Sequence, residues 1–244
     1  MATRGARGFG QYSGAARALE RVGDRWALLI VRDLLVGPRR YGDLKAGLPR
    51  IPTNILSDRL KELQEAGVIR RVPTVRGGYE LTALGRGLEP VVVALERWGW
   101  SLLGEQGEGD LVTSDALAIA LRAAFRPDAS VGMPPTEYVL HVGEVSVAAA
   151  VVGSRLDVAP IGPDALPQPR RPAPEPAFEA TLELVTDPAG FRDLISGVLD
   201  PGAVQLLAGD TDSMARFTRT FHIEPVVPPT DAATESHGAA ASVA

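Results

Sequence analysis

Between residues 53 and 61 the chain carries Thr53, Asn54, Ser57, Asp58 and Lys61, all hydrogen-bonding or charged side chains at helical spacing. On a wheel of 3.6 residues per turn, Asn54, Asp58 and Lys61 share one face with Ser57 at its edge. Leu56, Leu60 and Leu63, flanked by Ile55, form the opposite stripe. An Asn amide can pair with the donor and acceptor on an adenine edge. An Asp can accept from a cytosine amino group. A short helix that rests on an apolar stripe and turns such a set outward has what major-groove reading requires. The same residues would also suit an ordinary solvated helix face, so the neighbouring elements decide.

Those neighbours are three short helices and a hairpin. Residues 14–23 read as a helix ending at Gly23, and Asp24 can cap the next, RWALLIVRDLLVG, which Gly37-Pro38 closes. That second helix is apolar almost all round and should be the buried centre. Arg39 and Arg40 open a third helix, RRYGDLKAGL, where they could clamp phosphate. The turn 48–52 leads into the polar helix, with Thr53 as its expected N-cap. After Gly67, VIRRV and GGYELT read as two strands around the turn PTVRGG. A helix-turn-helix followed by a hairpin is a winged helix. Arg70, Arg71 and Arg76 would lie along the wing and reach the backbone or, for Arg76, the minor groove. Residues 82–103 are helical, capped by Thr82 and kinked or broken at Pro90. Leu88, Val92, Leu95, Trp98 and Leu102 recur every three or four residues, a seam suited to a dimer contact.

Charge divides the chain in the same place. Residues 1–107 hold 17 Lys/Arg and 11 Asp/Glu, net +6, whereas residues 108–244 hold 8 and 19, net −11. A basic first half attracts phosphate and an acidic second half repels it, which implies two domains with different partners. There is no cysteine, so disulfides, thiolate metal sites and thiol switches are excluded. No apolar run approaches the ~18 residues of a membrane helix, and the first ten residues have no apolar signal core. A cytoplasmic location and no membrane partner are expected.

The motifs GDRW, GPRRYGDL, LSDRLKEL and YELTALG stand in the order and spacing of the HxlR winged-helix regulators, and residues 10–104 resemble that family. The resemblance implies a homodimer that binds pseudo-palindromic operator DNA, most simply as a repressor. Relatives often carry a cysteine ahead of the first helix; here YSGAARALE puts Ser13 there.

Residues 105–110, EQGEGD, read as a linker. SDALAIALRAAFRP follows as a helix capped by Ser114, then the strands TEYVLHVG, EVSVAAAVVGS, RLDVAPI and FEATLELV, then the helix DPAGFRDLISGVL. GAVQLLAGDTDSMARFTRTF should give one or two more helices. Residues 160–176 contain seven prolines and should be extended or mobile, and 225–244 should be a disordered tail. The expected class is α+β, with helices on one face of a mainly antiparallel sheet. Residues 111–224 resemble the sterol-carrier-protein (SCP-like) lipid-binding fold. That resemblance implies a tunnel for an apolar effector, with Leu117, Leu121, Phe125, Val139, Phe191, Leu194, Phe217 and Phe221 as candidate lining, although ordinary core packing serves the same residues.

His141, His222 and His237 have no partner that spacing suggests, and HExxH, GxSxG, P-loop and GxGxxG motifs are absent. No catalytic residue, cofactor or metal is expected. Two readings remain: a DNA-binding regulator controlled by an apolar effector, or a small-molecule carrier that uses its winged helix to dimerise.

Overall fold

The computed structural model describes residues 8–72, 77–162, 178 and 180–226. Arg76, most of the Pro-rich segment and the tail from 227 lie outside them. The first half contains α1 (Gly14–Val22), α2 (Ala27–Val36), α3 (Tyr41–Gly47), α4 (Thr53–Glu65), β1 (Ile69–Val72), β2 (Gly78–Leu81), α5 (Ala83–Arg86) and α6 (Glu89–Trp100). The second contains α7 (Ser114–Ala124), α8 (Pro127–Ser130), β3 (Thr136–Val142), β4 (Val145–Val152), β5 (Arg155–Ile161), β6 (Ala180–Thr186), α9 (Pro188–Ile195), a 3-10 turn at Pro201–Ala203, β7 (Gln205–Ala208) and α10 (Thr211–Thr220).

The apolar period of α2 buries it on nearly every side: Ala27, Ile30, Val31, Leu34, Leu35 and Val36 all lie inside. Around it pack α3, α6 and the antiparallel β1–β2 hairpin, in which Arg70 faces Glu80 and Arg71 faces Tyr79. Pro90 does not kink a long helix. The chain breaks after α5, and Pro90 sits in the first turn of α6, where its missing N–H leaves no bond unmade.

The second half is a five-stranded sheet in the order β5-β4-β3-β6-β7, antiparallel except for the β3–β6 pair. β7 is a correction: QLLA, expected within a helical stretch, pairs with β6 across a bulge at Glu183/Leu184. Gly143 takes the positive φ, 58°, that the tight β3–β4 turn requires. Tyr138, Leu140 and Val142 face the helices. Phe217 and Phe221, with ring centroids 5.1 Å apart, close on Tyr138, and Phe125 joins the cluster through Phe221.

The halves are not joined by a free linker alone. Seven of the eleven residues of α7 are buried, because the helix packs on α2 and α6 on one side and on β4 and β5 on the other. The apolar core therefore runs without interruption from one half into the other. Its cap is Thr113, whose hydroxyl accepts the Ala116 N–H at 3.1 Å, and not Ser114, which is the first helical residue. At the other end, the Val226 N–H donates to Ser101 Oγ at 2.6 Å, so the described chain is held through the first two residues of the expected tail.

Candidate nucleic-acid interface

In α4, Leu56, Leu60 and Leu63 are buried as their spacing requires, and Thr53, Asn54, Ser57, Asp58 and Lys61 are all exposed. The turn 48–52 sets this helix on α3: Leu48 and Ile51 are buried, and the Ile51 N–H returns to the Leu48 carbonyl. Tyr41, which the sequence reading passed over, fastens the two helices, since its hydroxyl donates to the Thr53 carbonyl at 2.9 Å. Thr53 is not the N-cap. Pro52 holds that position with φ −63°, and no side chain caps the helix. Ser57 Oγ donates back to the Thr53 carbonyl at 3.1 Å, whereas Asn54 and Asp58 have no side-chain bond to another described residue. Lys61 stands 3.9 Å from Glu65 in a solvated pair.

On the wing, Arg70 is bound to Glu80 at 2.6 Å and Arg71 lies over the Tyr79 ring at 4.7 Å, so both guanidinium groups have partners on their own hairpin. Arg40 is exposed. Its backbone N–H donates to Asp43 at 2.7 Å, which leaves the guanidinium free to reach outward.

Arg39 is a correction. It is 1% exposed and its guanidinium grips Asp115 of α7 at 2.8 and 2.5 Å. The backbone explains the inversion: Arg39 bridges to Tyr79 as a short strand, so consecutive side chains at 39 and 40 point to opposite sides. Arg39 cannot reach a phosphate.

Residues 21–106 match the family described as HxlR-like helix-turn-helix. The uncharacterized HTH-type transcriptional regulator YvaP of Bacillus subtilis (strain 168) is 38% identical over 86 residues, which cover 34% of this chain and 80% of that relative. This chain belongs to the HxlR-like helix-turn-helix family. The uncharacterized HTH-type transcriptional regulator Rv3095 of Mycobacterium tuberculosis (strain ATCC 25618 / H37Rv) is 47% identical over 87 residues, 34% of this chain. The chain spans about half the length of that relative, 54%. A solved structure described as the putative HTH-type transcriptional regulator ytcD is 35% identical, covering 36% of this chain and 93% of that one, with a TM-score of 0.33.

In this HxlR-like chain α6 shows two faces. Val92 is buried and Leu88 half-buried against α2 and α7, so these two do not belong to an outward seam. The exposed apolar line runs instead through Leu84, Val91, Leu95, Trp98 and Leu102, at spacings that alternate between three and four after the first gap.

The seam behind α6 is ionic, and its centre is buried. Asp33 is 2% exposed and bound to Arg32. Burial pushes its carboxyl up to about 6, the Arg32 charge pulls it back down, and the nearby Asp115 charge raises it again. Arg122 joins Glu89 at 2.9 Å, and the Arg97 Nε–H donates to the Ala123 carbonyl at 2.6 Å.

The expected tunnel lining is packed core. Leu121, Phe217 and Phe221 have no exposure and Leu194 has 2%. Phe125 packs against Phe221, and Val139 points to the opposite face of the sheet from Tyr138. Of the eight, Leu117 and Phe191 line a cavity at the junction of the two halves, and the half-buried Phe125 lines a separate hollow beside Pro127 and Met133. His141 does have partners: Ser146 Oγ at 2.7 Å and Glu183 Oε1 at 2.9 Å, brought together by neighbouring strands. Among the described residues no group of His, Asp and Glu could hold a metal, and no helix is long and apolar enough to cross a membrane.

Proposed function

We propose that the protein is a DNA-binding transcriptional regulator, a repressor that reads a pseudo-palindromic operator as a homodimer in the cytoplasm. The observation that carries this reading is the outer face of α4, where Thr53, Asn54, Ser57, Asp58 and Lys61 stay exposed above a buried leucine stripe. Asn54, Ser57 and Asp58 would meet base edges, with Thr53 at their margin. Arg40 and Lys61 would hold phosphates. Arg70, Arg71 and Arg76 would follow along the wing, the first two after leaving Glu80 and Tyr79. Leu95, Trp98 and Leu102, joined by Val91 and Leu84, would form the dimer contact and set the two α4 helices about 34 Å apart.

The α+β second half, which resembles sterol-carrier proteins in element order, would take an apolar effector and bias the dimer through a difference in affinity between its two states. Selection of bound sequences from random DNA tests the whole reading. The expected product is an inverted repeat with half-sites one helical turn apart. Recovery of no enriched sequence would overturn it in favour of a carrier with a dimerisation domain.

A further inference from the structure

The cavity at the junction has a volume of about 490 Å³. Its walls come from the end of α6, the connecting segment 102–112, α7 and the start of α9, so it is shared by both halves. The interior is apolar: Trp100, Leu117 and Phe191 form the floor, with Trp100 and Phe191 in an edge-to-face contact at 6.0 Å. Leu102, Leu103 and Leu111 rim it and are exposed, which leaves apolar surface at the mouth open to water.

The charged groups in this wall are unequal. Arg192 is occupied by Asp193 at 2.8 Å and by the Gly104 carbonyl at 2.8 Å. Asp110 is held by Arg50 and by the Gly107 N–H. Glu105 feels the charge of Arg192. Glu96 differs: it lines the cavity, is half-buried, and makes no hydrogen bond or ion pair with another described residue. Burial drives its carboxyl above the usual range, and the charge of Arg32, already bound to Asp33, offsets this only in part. A carboxylate left without a donor beside an apolar floor is a costly arrangement unless something supplies the donor.

We infer that this junction cleft is the effector site and that it takes a compact amphipathic amine, with its apolar body on Trp100, Leu117 and Phe191 and its cationic head on Glu96. The inference rests on the effector reading above and moves its site from the sheet-and-helix interior to the junction. Glu96 lies on α6 next to Leu95, so an occupant that draws Glu96 inward acts on the helix that carries the exposed stripe. Leu102 belongs to the mouth and the stripe alike.

Three probes of one shape separate the terms: 4-phenylbutylamine, 4-phenylbutan-1-ol and 4-phenylbutyrate, titrated calorimetrically into the full chain. The amine should bind about tenfold more tightly than the acid, with the alcohol between them, as expected for one charge-assisted hydrogen bond. Glu96→Gln should remove about that factor from the amine and leave the alcohol within about threefold. Ala116→Trp, which fills the cleft from α7, should abolish binding of all three, with thermal unfolding confirming that the variant folds. Failure of all three probes to bind, an amine no better than the acid, or unchanged amine affinity in Ala116→Trp would each overturn the site. An amine that binds here while operator affinity stays constant would leave the site standing and overturn the effector reading instead.

Discussion

The outer face of α4 and the seam where α2, α6 and α7 meet use charge in opposite ways. On α4 the polar groups are exposed, and Asn54 and Asp58 have no internal side-chain partner. In the seam Arg39, Asp115, Arg32, Asp33, Arg122 and Glu89 are buried or half-buried and each is paired. A group held by its own fold cannot also bind a ligand without losing that partner, so the two regions divide contact from architecture. Arg39 and Arg40 carry the contrast in adjacent residues of one type. One locks the halves together, and the other faces solvent.

The largest test is therefore Arg39→Ala. Removing the guanidinium leaves Asp115 without its partner, next to a second acidic group, Asp33. A loss of about 3–5 kcal/mol is expected for breaking a buried pair on one side, read by denaturant unfolding. If stability holds within about 0.5 kcal/mol while operator affinity falls, Arg39 belongs with the contact residues and the contrast fails.

Asp33 sharpens the same side through pH. Its carboxyl titrates near 6 in the folded protein against 3.8 when free, so the folded state holds the proton more firmly. The sign follows from linkage: stability contributed by this group is greatest below about pH 4, falls as pH rises from there through 6, and is lost above. The full swing is on the order of 3 kcal/mol. Asp33→Asn should flatten the fall in unfolding free energy between pH 4.5 and 7. An unaltered pH slope in the variant would show that Asp33 is already compensated by Arg32.

A third region lies between these extremes. The exposed side of α6 carries an apolar line, Val91, Leu95 and Trp98, that the proposed dimer would cover. Trp98→Glu should weaken self-association by about 30-fold, the effect of losing a hot-spot residue, and yield monomers in sedimentation analysis. A species of unchanged mass would remove α6 from the dimer contact.

What could be read from residues alone follows the same division. The α4 stripe was legible because period and burial coincide within one helix, and so were β3 to β6, where alternation matches one buried face. The phase of α6 was not. Val91 and Val92 both satisfy a spacing of three or four, and only the packing of α7 decides which turns inward. The fate of Arg39 depends on a partner 76 residues away, beyond any local pattern. A four-residue segment such as β7, QLLA, carries too little periodicity to tell strand from helix. The junction cleft was invisible for the same reason as Arg39: its walls bring together residues 96–120, Val142 and residues 188–192, three stretches far apart in the chain.

The smallest effects belong to α4 and its flank, and there specificity separates from affinity. Asn54→Ala should relax preference at one position of each half-site by about 1–3 kcal/mol and leave the others unchanged, as measured on operators altered base by base. Arg40→Ala should weaken binding to every sequence alike and lower the slope of log affinity against log salt by about one unit, because one phosphate contact releases about one counterion. Neither change should move the unfolding midpoint, since neither side chain is bound within the fold. Opposite readouts from Arg39→Ala and Arg40→Ala, stability for one and salt slope for the other, are what the burial of one and the exposure of its neighbour require. A salt slope that stays fixed in Arg40→Ala would place the phosphate contacts elsewhere on the domain, with Lys61 and the wing the next residues to substitute.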